Sequence, residues 1–169
     1  MAEPLRNEFL TLYNTSLKNA TELLAEAEVL FEREKFARAY ALAFTALEEI
    51  SKSQLAADVF TGFITVKEFD DCFRDHRKKI DRMAWATDDA KHYLAMPEED
   101  YIEVQEVTFA SRQSAMFVGF KDGKVVSPSK VIGRDEARSI IHTTQTAIQR
   151  IIEVTEFGGN QIGTKGFMK

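Results

Sequence analysis

The sequence predicts an all-α protein, an antiparallel bundle of four to five helices with a small β-hairpin inserted before the last helix. The chain has 169 residues, which is the size of a single domain. It contains 13 Phe but only 8 Gly and 3 Pro, so bulky core side chains are common and helix breakers are rare. Apolar residues recur every three or four positions along several segments, which is the period of an amphipathic helix.

Two long helices are predicted first. The segment from Leu5 to Glu32 has an apolar stripe that includes Tyr13, Leu24 and Phe31. The segment from Phe36 to about Phe60 is apolar on two faces, and Gly62 follows it. A helix with two apolar faces is usually central in a bundle, or is shared between the bundle and a partner chain.

Two further helices are predicted from their starting signals. Thr65-Val66-Lys67-Glu68 is a capping-box pattern, and it predicts a third helix that runs to roughly Ala86. Pro97, followed by three acidic residues, predicts a fourth helix that runs to about Ala115, because proline and acids suit a first turn.

The hairpin is predicted at about residues 116–127, since Asp122-Gly123 lies between two β-prone segments. Two strands alone are marginally stable, so we expect the hairpin to dock on the bundle. Pro128 ends it, and a fifth helix is predicted from Glu136 to about Glu156. Residues 1–157 are therefore expected to form one helical domain, and residues 158–169 a flexible tail.

Charge and composition exclude several classes of function. The chain has 22 basic and 27 acidic residues, a net charge of −5, which argues against DNA binding and against an anionic membrane surface. The one cysteine, Cys72, excludes a disulfide framework and a cysteine-rich zinc site. The three histidines are scattered, so no metal and no cofactor are expected. No secretory signal or membrane-spanning segment is visible, which predicts a cytoplasmic protein.

The second helix carries three candidate site residues. Glu48 and Lys52 are spaced i,i+4, which favours a surface ion pair. Glu49 projects among apolar positions, so we expect it to be poorly solvated and to need a cationic or hydrogen-bonding partner. Such a group belongs either to a structural ion pair or to a functional site.

Three more candidates lie further along the chain. His76 is on the apolar side of the third helix, Lys79 is one turn later, and Arg112 is near the end of the fourth helix. If the second and third helices pack as a hairpin, these side chains converge with Glu49 and Lys52. Such a cluster suits acid–base chemistry, with His76, Lys79 and Glu49 as catalytic candidates, or anion binding, or a buried network that fixes helix register. Arg112 can anchor a carboxylate of the second helix or grip a phosphate; alternatively it is simply exposed.

The order of these motifs resembles a known family. Ala41 to Lys52 looks like that family's alanine-rich helix ending in Glu-Glu-x-x-Lys, and Asp75 to Lys79 looks like its His-x-x-Lys segment. Arg112, the hairpin around Asp122-Gly123, and Pro128 complete the pattern. The family is the AbiV-type abortive infection proteins, which are placed among the HEPN-like helical domains. The resemblance covers roughly residues 19–152.

The resemblance implies bacterial defence against phage, by stopping translation or growth of the infected cell. It also implies a homodimer, and many HEPN domains are metal-independent RNases. Their RNase motif is Arg followed after four to six residues by His. It is absent, since three residues separate Arg138 from His142 and seven separate Arg134 from His142.

Three functions therefore stay open. The first is an effector that binds a phage protein, an RNA or another host component, as a dimer formed through helix faces including the second helix. The second is an RNase that uses the His/Lys/Arg cluster. The third is an interaction module in which the Glu/His/Lys network is structural. The binding candidates for all three are Glu48, Glu49, Lys52, His76, Lys79 and Arg112.

Overall fold

The computed structural model describes residues 3–74 and 109–156. Six helices and one two-stranded antiparallel sheet occur in these ranges. They are α1 (Glu3–Glu32), α2 (Phe36–Thr61), α3 (Val66–Phe73), α4 (Phe109–Met116), β1 (Gly119–Lys121), β2 (Lys124–Val126), α5 (Pro128–Val131) and α6 (Arg134–Glu156). The predicted fold class, all-α with a small hairpin before the last helix, is confirmed.

The helices α1 and α2 form an antiparallel pair joined by a tight corner. Glu34 in this corner has a positive φ of 57°. The guanidinium of Arg134, at the start of α6, lies 5.6 Å and 5.3 Å from the ring centroids of Phe31 and Phe36. The same guanidinium is 3.7 Å from the Glu34 carboxylate, so the start of α6 contacts this corner through both aromatic rings and a carboxylate.

The helix α2 is central in the bundle, as its two apolar faces predict. It packs against each of the other described helices, and Arg38 is its one exposed residue. Alanines with essentially no exposure occur on several sides of it: Ala39, Ala43, Ala46, Ala56 and Ala57. These small side chains let neighbouring helices approach closely, so most of α2 is buried by its own chain.

The described residues form two apolar clusters at different heights along α2. One joins the second half of α1 to the first half of α2 and to α6, around Phe44, Leu47 and Ile140. The other joins the first half of α1 to the end of α2 and to α3, around Leu55 and Phe69. Between these heights α2 carries the run Glu-Glu-Ile-Ser-Lys-Ser-Gln, residues 48–54. We call this run the polar segment.

The predicted capping box at the start of α3 is confirmed. The Thr65 hydroxyl accepts from the Glu68 backbone N–H at 3.2 Å, and the Thr65 N–H donates to Glu68 Oε2 at 2.7 Å. Cys72 is half-buried and packs against the second apolar cluster. The predicted continuation of this helix to Ala86 and the start of the next at Pro97 lie outside the described residues, as does the tail at 158–169.

The hairpin forms where it is predicted, with Phe120 paired to Val125 and Lys121 to Lys124. Asp122 and Gly123 both have positive φ, of 51° and 74°, as a two-residue type I′ turn requires. The expectation that the hairpin docks on the bundle stays a prediction, because part of the predicted bundle lies outside the described residues. Neither strand has more than marginal contact with any described helix.

Two details around α6 differ from the prediction. Pro128 does more than end the hairpin, because it begins the short helix α5. The last helix begins at Arg134, two residues earlier than predicted. Its start is fixed by the Gly133 N–H, which donates to Glu136 Oε2 at 3.0 Å. Among the helices that the structure describes, none is long and apolar enough to cross a membrane.

Candidate functional site

The polar segment of α2 is the place where most of the predicted site residues meet. Ser51, Ser53 and Gln54 in this segment are almost fully buried. The Ser53 hydroxyl donates to the Ile50 carbonyl at 2.7 Å, and Gln54 Nε2 donates to Ser53 Oγ at 3.2 Å. The segment is thus a polar layer inside a helix that is otherwise packed with alanine and larger apolar residues.

Both carboxylates of this layer are poorly solvated, and Glu48 is the more deeply buried of the two. Glu48 is only 4% exposed, and its Oε2 lies 3.6 Å from Nη2 of Arg112 in α4. The interpretation of Glu48 and Lys52 as a surface ion pair is therefore wrong. The prediction that Arg112 anchors a carboxylate of the second helix is confirmed, with Glu48 as that carboxylate. The Arg112 side chain remains 26% exposed, so one side of the pair faces solvent.

Glu49 forms the second ion pair of the segment. Its carboxylate accepts a hydrogen bond from Nζ of Lys52, one turn later on the same helix. The Glu49 side chain is only 13% exposed and the Lys52 side chain 24%, so the expectation that Glu49 is poorly solvated and has a cationic partner is confirmed. The partner that the sequence predicts for Glu49 is therefore a lysine of its own helix.

Lys52 also links the polar segment to α3. Its Nζ lies 5.9 Å from the centroid of the Phe73 ring, at the last residue of α3. The end of α3 is therefore brought to the polar segment, as the predicted packing of the second and third helices requires. His76 and Lys79 follow this point in the chain and lie outside the described residues. Their predicted convergence with Glu49 and Lys52 stays a prediction.

A second polar contact joins α2 to α4. Tyr40 is buried and is hydrogen-bonded to Ser111, the residue before Arg112. Burial raises the pKa of the Tyr40 phenol above its ordinary value of 10.0, and the charge of Glu136 adds to that increase. The hydrogen bond to Ser111 acts in the opposite direction. Adjacent residues of α4 thus contact α2 through two different polar groups.

Comparison with known protein families gives a match over most of the chain. The family model HEPN_AbiV, described as AbiV, matches residues 8–149 of the 169. The chain belongs to the AbiV family. Membership indicates an abortive-infection function of the HEPN type. No curated protein and no solved structure gave a significant match.

The match to the AbiV family spans all the predicted site residues and the hairpin. In this AbiV protein the described members of the set form two ion pairs, Glu48 with Arg112 and Glu49 with Lys52. The first pair crosses between helices, and the second stays within α2. The Arg112 guanidinium has five N–H donors, so contact with Glu48 on one side and partial exposure of the side chain are compatible with either a positioning role or anion binding.

Sequence reasoning missed two buried polar residues of α2. Ser51 is 1% exposed and Asp58 has no measurable exposure. The Asp58 carbonyl accepts from the N–H groups of Phe63 and Ile64, which close the end of the helix. Their spacing could have indicated that both residues are buried. They lie on one helix face at three- and four-residue steps, in the series Glu48, Ser51, Leu55 and Asp58.

The described part of the site suits a fixed electrostatic contact better than ligand chemistry. Its carboxylates and cations are matched with one another at short range. Among the residues that the structure describes, no three His, Cys, Asp or Glu side chains are grouped in a way that could hold a metal ion. The Glu48–Arg112 pair joins the polar segment to α4, the helix that precedes the hairpin.

Proposed function

We propose that this AbiV-family protein is an anti-phage abortive-infection effector. It binds a phage or host component and blocks translation or growth of the infected cell. The observation that carries this proposal is the family match over residues 8–149. The proposal favours binding over catalysis as the source of activity.

The distribution of charge and apolar surface supports that preference. The Glu48–Arg112 pair is an internal contact between two helices, and a buried ion pair of this kind fixes register. Most of the exposed large apolar side chains of the described residues lie instead at the hairpin and beside it. Exposed apolar surface of this kind marks interaction sites. The hydrophobic surface outside the bundle is thus a better candidate for function than the charges inside it.

A homodimer is part of the proposal. The face of α2 that is not fully covered by its own chain has half-buried Leu42, Thr45, Glu49 and Lys52 at three- and four-residue steps. A second copy that packs along helix faces including this one would complete its burial. Sedimentation equilibrium at micromolar concentration tests this part. A monomer over the whole concentration range would refute it.

Plaque formation tests the defence function. Cells that express the wild-type chain are compared with an empty-vector control and with His76→Ala at matched soluble levels, against a panel of phages. Labelled amino-acid incorporation after infection measures translation. We expect fewer plaques and an early stop in incorporation with the wild-type chain. Full plaque counts with every phage would refute the proposal.

The same samples separate binding from RNase activity. Purified wild-type chain is incubated with total RNA, beside His76→Ala. Intact RNA, together with protection by both forms in cells, is the result expected for a binding effector. Cleavage that is lost in His76→Ala would replace the proposal with an RNase mechanism.

A further inference from the structure

Among the described residues, the exposed large apolar side chains are concentrated in one short stretch. Of eight large hydrophobic residues that are exposed in the described chain, six lie between positions 116 and 131. Phe120 and Val125 at the hairpin are 75% and 66% exposed. We call this set the hairpin surface; its members are Met116, Phe117, Val118, Phe120, Val125 and Val131.

The hairpin presents two chemically different faces. Phe120 and Val125 are cross-strand partners, so their side chains project to the same side. Lys121 and Lys124 are the next pair and project to the other side. All four residues are exposed. The hairpin is thus apolar on one face and cationic on the other.

The two outer edges of the hairpin are open in the described structure. β1 pairs only with β2, and the sheet has two strands. In an antiparallel pair, every second residue turns its N–H and C=O away from its partner strand. With a two-residue turn, the residues flanking the turn bond to each other, so the outward groups belong to Phe120 and Val125. An extended chain can bond to either residue from outside.

The charge of this region is opposite to the charge of the molecule. Residues 116–133 contain three lysines, Lys121, Lys124 and Lys130, and one acid, Asp122. The chain as a whole has a net charge of −5. The hairpin surface is therefore a locally cationic and apolar region on an acidic protein, and it attracts an acidic partner.

We propose that the hairpin surface binds an extended, acidic segment of a partner protein, which adds to the sheet as a third strand. Apolar side chains of the segment contact the face of Phe120 and Val125, and its acidic side chains contact Lys121 and Lys124. The segment therefore alternates apolar and acidic residues, because successive side chains of a strand point to opposite faces. That this partner is a phage or host component rests on the proposed function.

Nucleic acid and membrane fit this surface less well. Four of its six apolar residues are aliphatic and offer no ring on which a base can stack. Three lysines beside one acid are a weak match for a phosphate backbone on a chain of charge −5. The same net charge opposes an anionic bilayer. Open strand edges, in contrast, have a direct use only with another polypeptide.

Peptide selection with the purified full chain tests the proposal. A displayed library of random peptides of about twelve residues, about twice a usual strand length, is selected on the wild-type chain. Binders that also bind Phe120→Ser are removed. The selected peptides are synthesised, and their affinity is measured by fluorescence anisotropy. We expect peptides that alternate apolar and acidic residues.

The variants give the expected size of the effect. Phe120→Ala should weaken binding about thirtyfold, which corresponds to about 2 kcal/mol and is typical of an aromatic hot spot. Lys124→Glu should weaken binding as well, and the loss of affinity should be smaller at high salt concentration. Phe63→Ala removes an exposed phenylalanine elsewhere in the chain and should leave the affinity unchanged. Thermal unfolding of each variant, with an unchanged midpoint, shows that the bundle is intact.

Several results would overturn the proposal. These are no selected peptides, peptides without the alternating pattern, and an equal loss of affinity in Phe63→Ala. Phe120-dependent binding to phosphatidylglycerol vesicles or to a single-stranded RNA oligonucleotide would assign the surface to another class of partner. A dimer that becomes a monomer in Phe120→Ala would assign it to a second copy.

The plaque assay separates this inference from the proposed function. If selected peptides bind as expected but the wild-type chain protects no cells, the docking surface stands and the defence function fails. If the wild-type chain protects and Phe120→Ala protects equally, the defence function stands and the docking inference fails.

Discussion

The Glu48–Arg112 pair gives the sharpest prediction about stability. Arg112→Met removes the cation and leaves a carboxylate that is 4% exposed without its guanidinium. Breaking a buried ion pair in this way costs about 3–5 kcal/mol of unfolding free energy. Domains are stable by roughly 5–15 kcal/mol, so the loss is a large share of the total.

Removing the carboxylate instead of the cation should lower the unfolding free energy by less. Glu48→Gln keeps the shape of the side chain and leaves Arg112, which is 26% exposed and can turn to water. We expect a loss of unfolding free energy of about 1–3 kcal/mol, the usual cost of removing one partner of a polar contact. The double variant Glu48→Gln/Arg112→Met should be more stable than Arg112→Met alone, because it removes the buried negative charge together with the cation.

Urea unfolding of the four proteins measures these differences as a double-mutant cycle. Lys18→Met is the matched control, since Lys18 and Glu22 are 3.8 Å apart but both well exposed. Its effect should stay within about 0.5 kcal/mol. A larger loss in Glu48→Gln than in Arg112→Met would refute the reasoning, because the buried charge would then not be the dominant cost.

Three further predictions concern packing, capping and titration. Ala46→Leu should lower the unfolding free energy by about 1–3 kcal/mol or more, because Ala46 is fully buried in the central helix; a stable variant in urea would contradict the close packing. Thr65→Ala should cost about 0.5–2 kcal/mol through loss of the capping box, while Thr65→Ser retains most of it, as thermal midpoints would reveal. The pKa of Tyr40 is raised, so the folded chain holds the phenol proton more tightly than the unfolded chain does. The stability from this proton is fully present below about pH 10 and is lost as pH rises through the raised pKa. Tyr40→Phe should therefore lose less stability than wild type between about pH 9 and about pH 11 in urea titrations, and equal losses would exclude this contribution.

The fold could be predicted because its signals are local. The stripe of Tyr13, Leu24 and other residues placed α1, and most of that stripe is buried. The capping box placed the start of α3, and Asp122-Gly123 placed the hairpin turn. Each of these features depends on residues a few positions apart, so no knowledge of distant contacts was needed.

The assignment of the two glutamates could not be predicted in the same way. Adjacent residues of a helix are 100° apart, and α2 is apolar on two faces, so periodicity alone cannot say which glutamate is more deeply buried. The answer depends on Arg112, which lies 64 residues from Glu48 in the sequence. The environment of the hairpin could not be predicted either. The sequence pattern located the two strands, but it did not indicate whether a helix would cover them.

The position of α2 at the centre of the bundle has a consequence for local opening. Amide protons of a helix surrounded by all its neighbours exchange with solvent only when the whole domain unfolds. Amides of a hairpin with open edges exchange through small local fluctuations. Deuterium uptake along the chain therefore has two well-separated timescales. A bound strand would slow exchange of the hairpin amides. Exchange of the α2 amides would stay the same and would report the global stability of the domain.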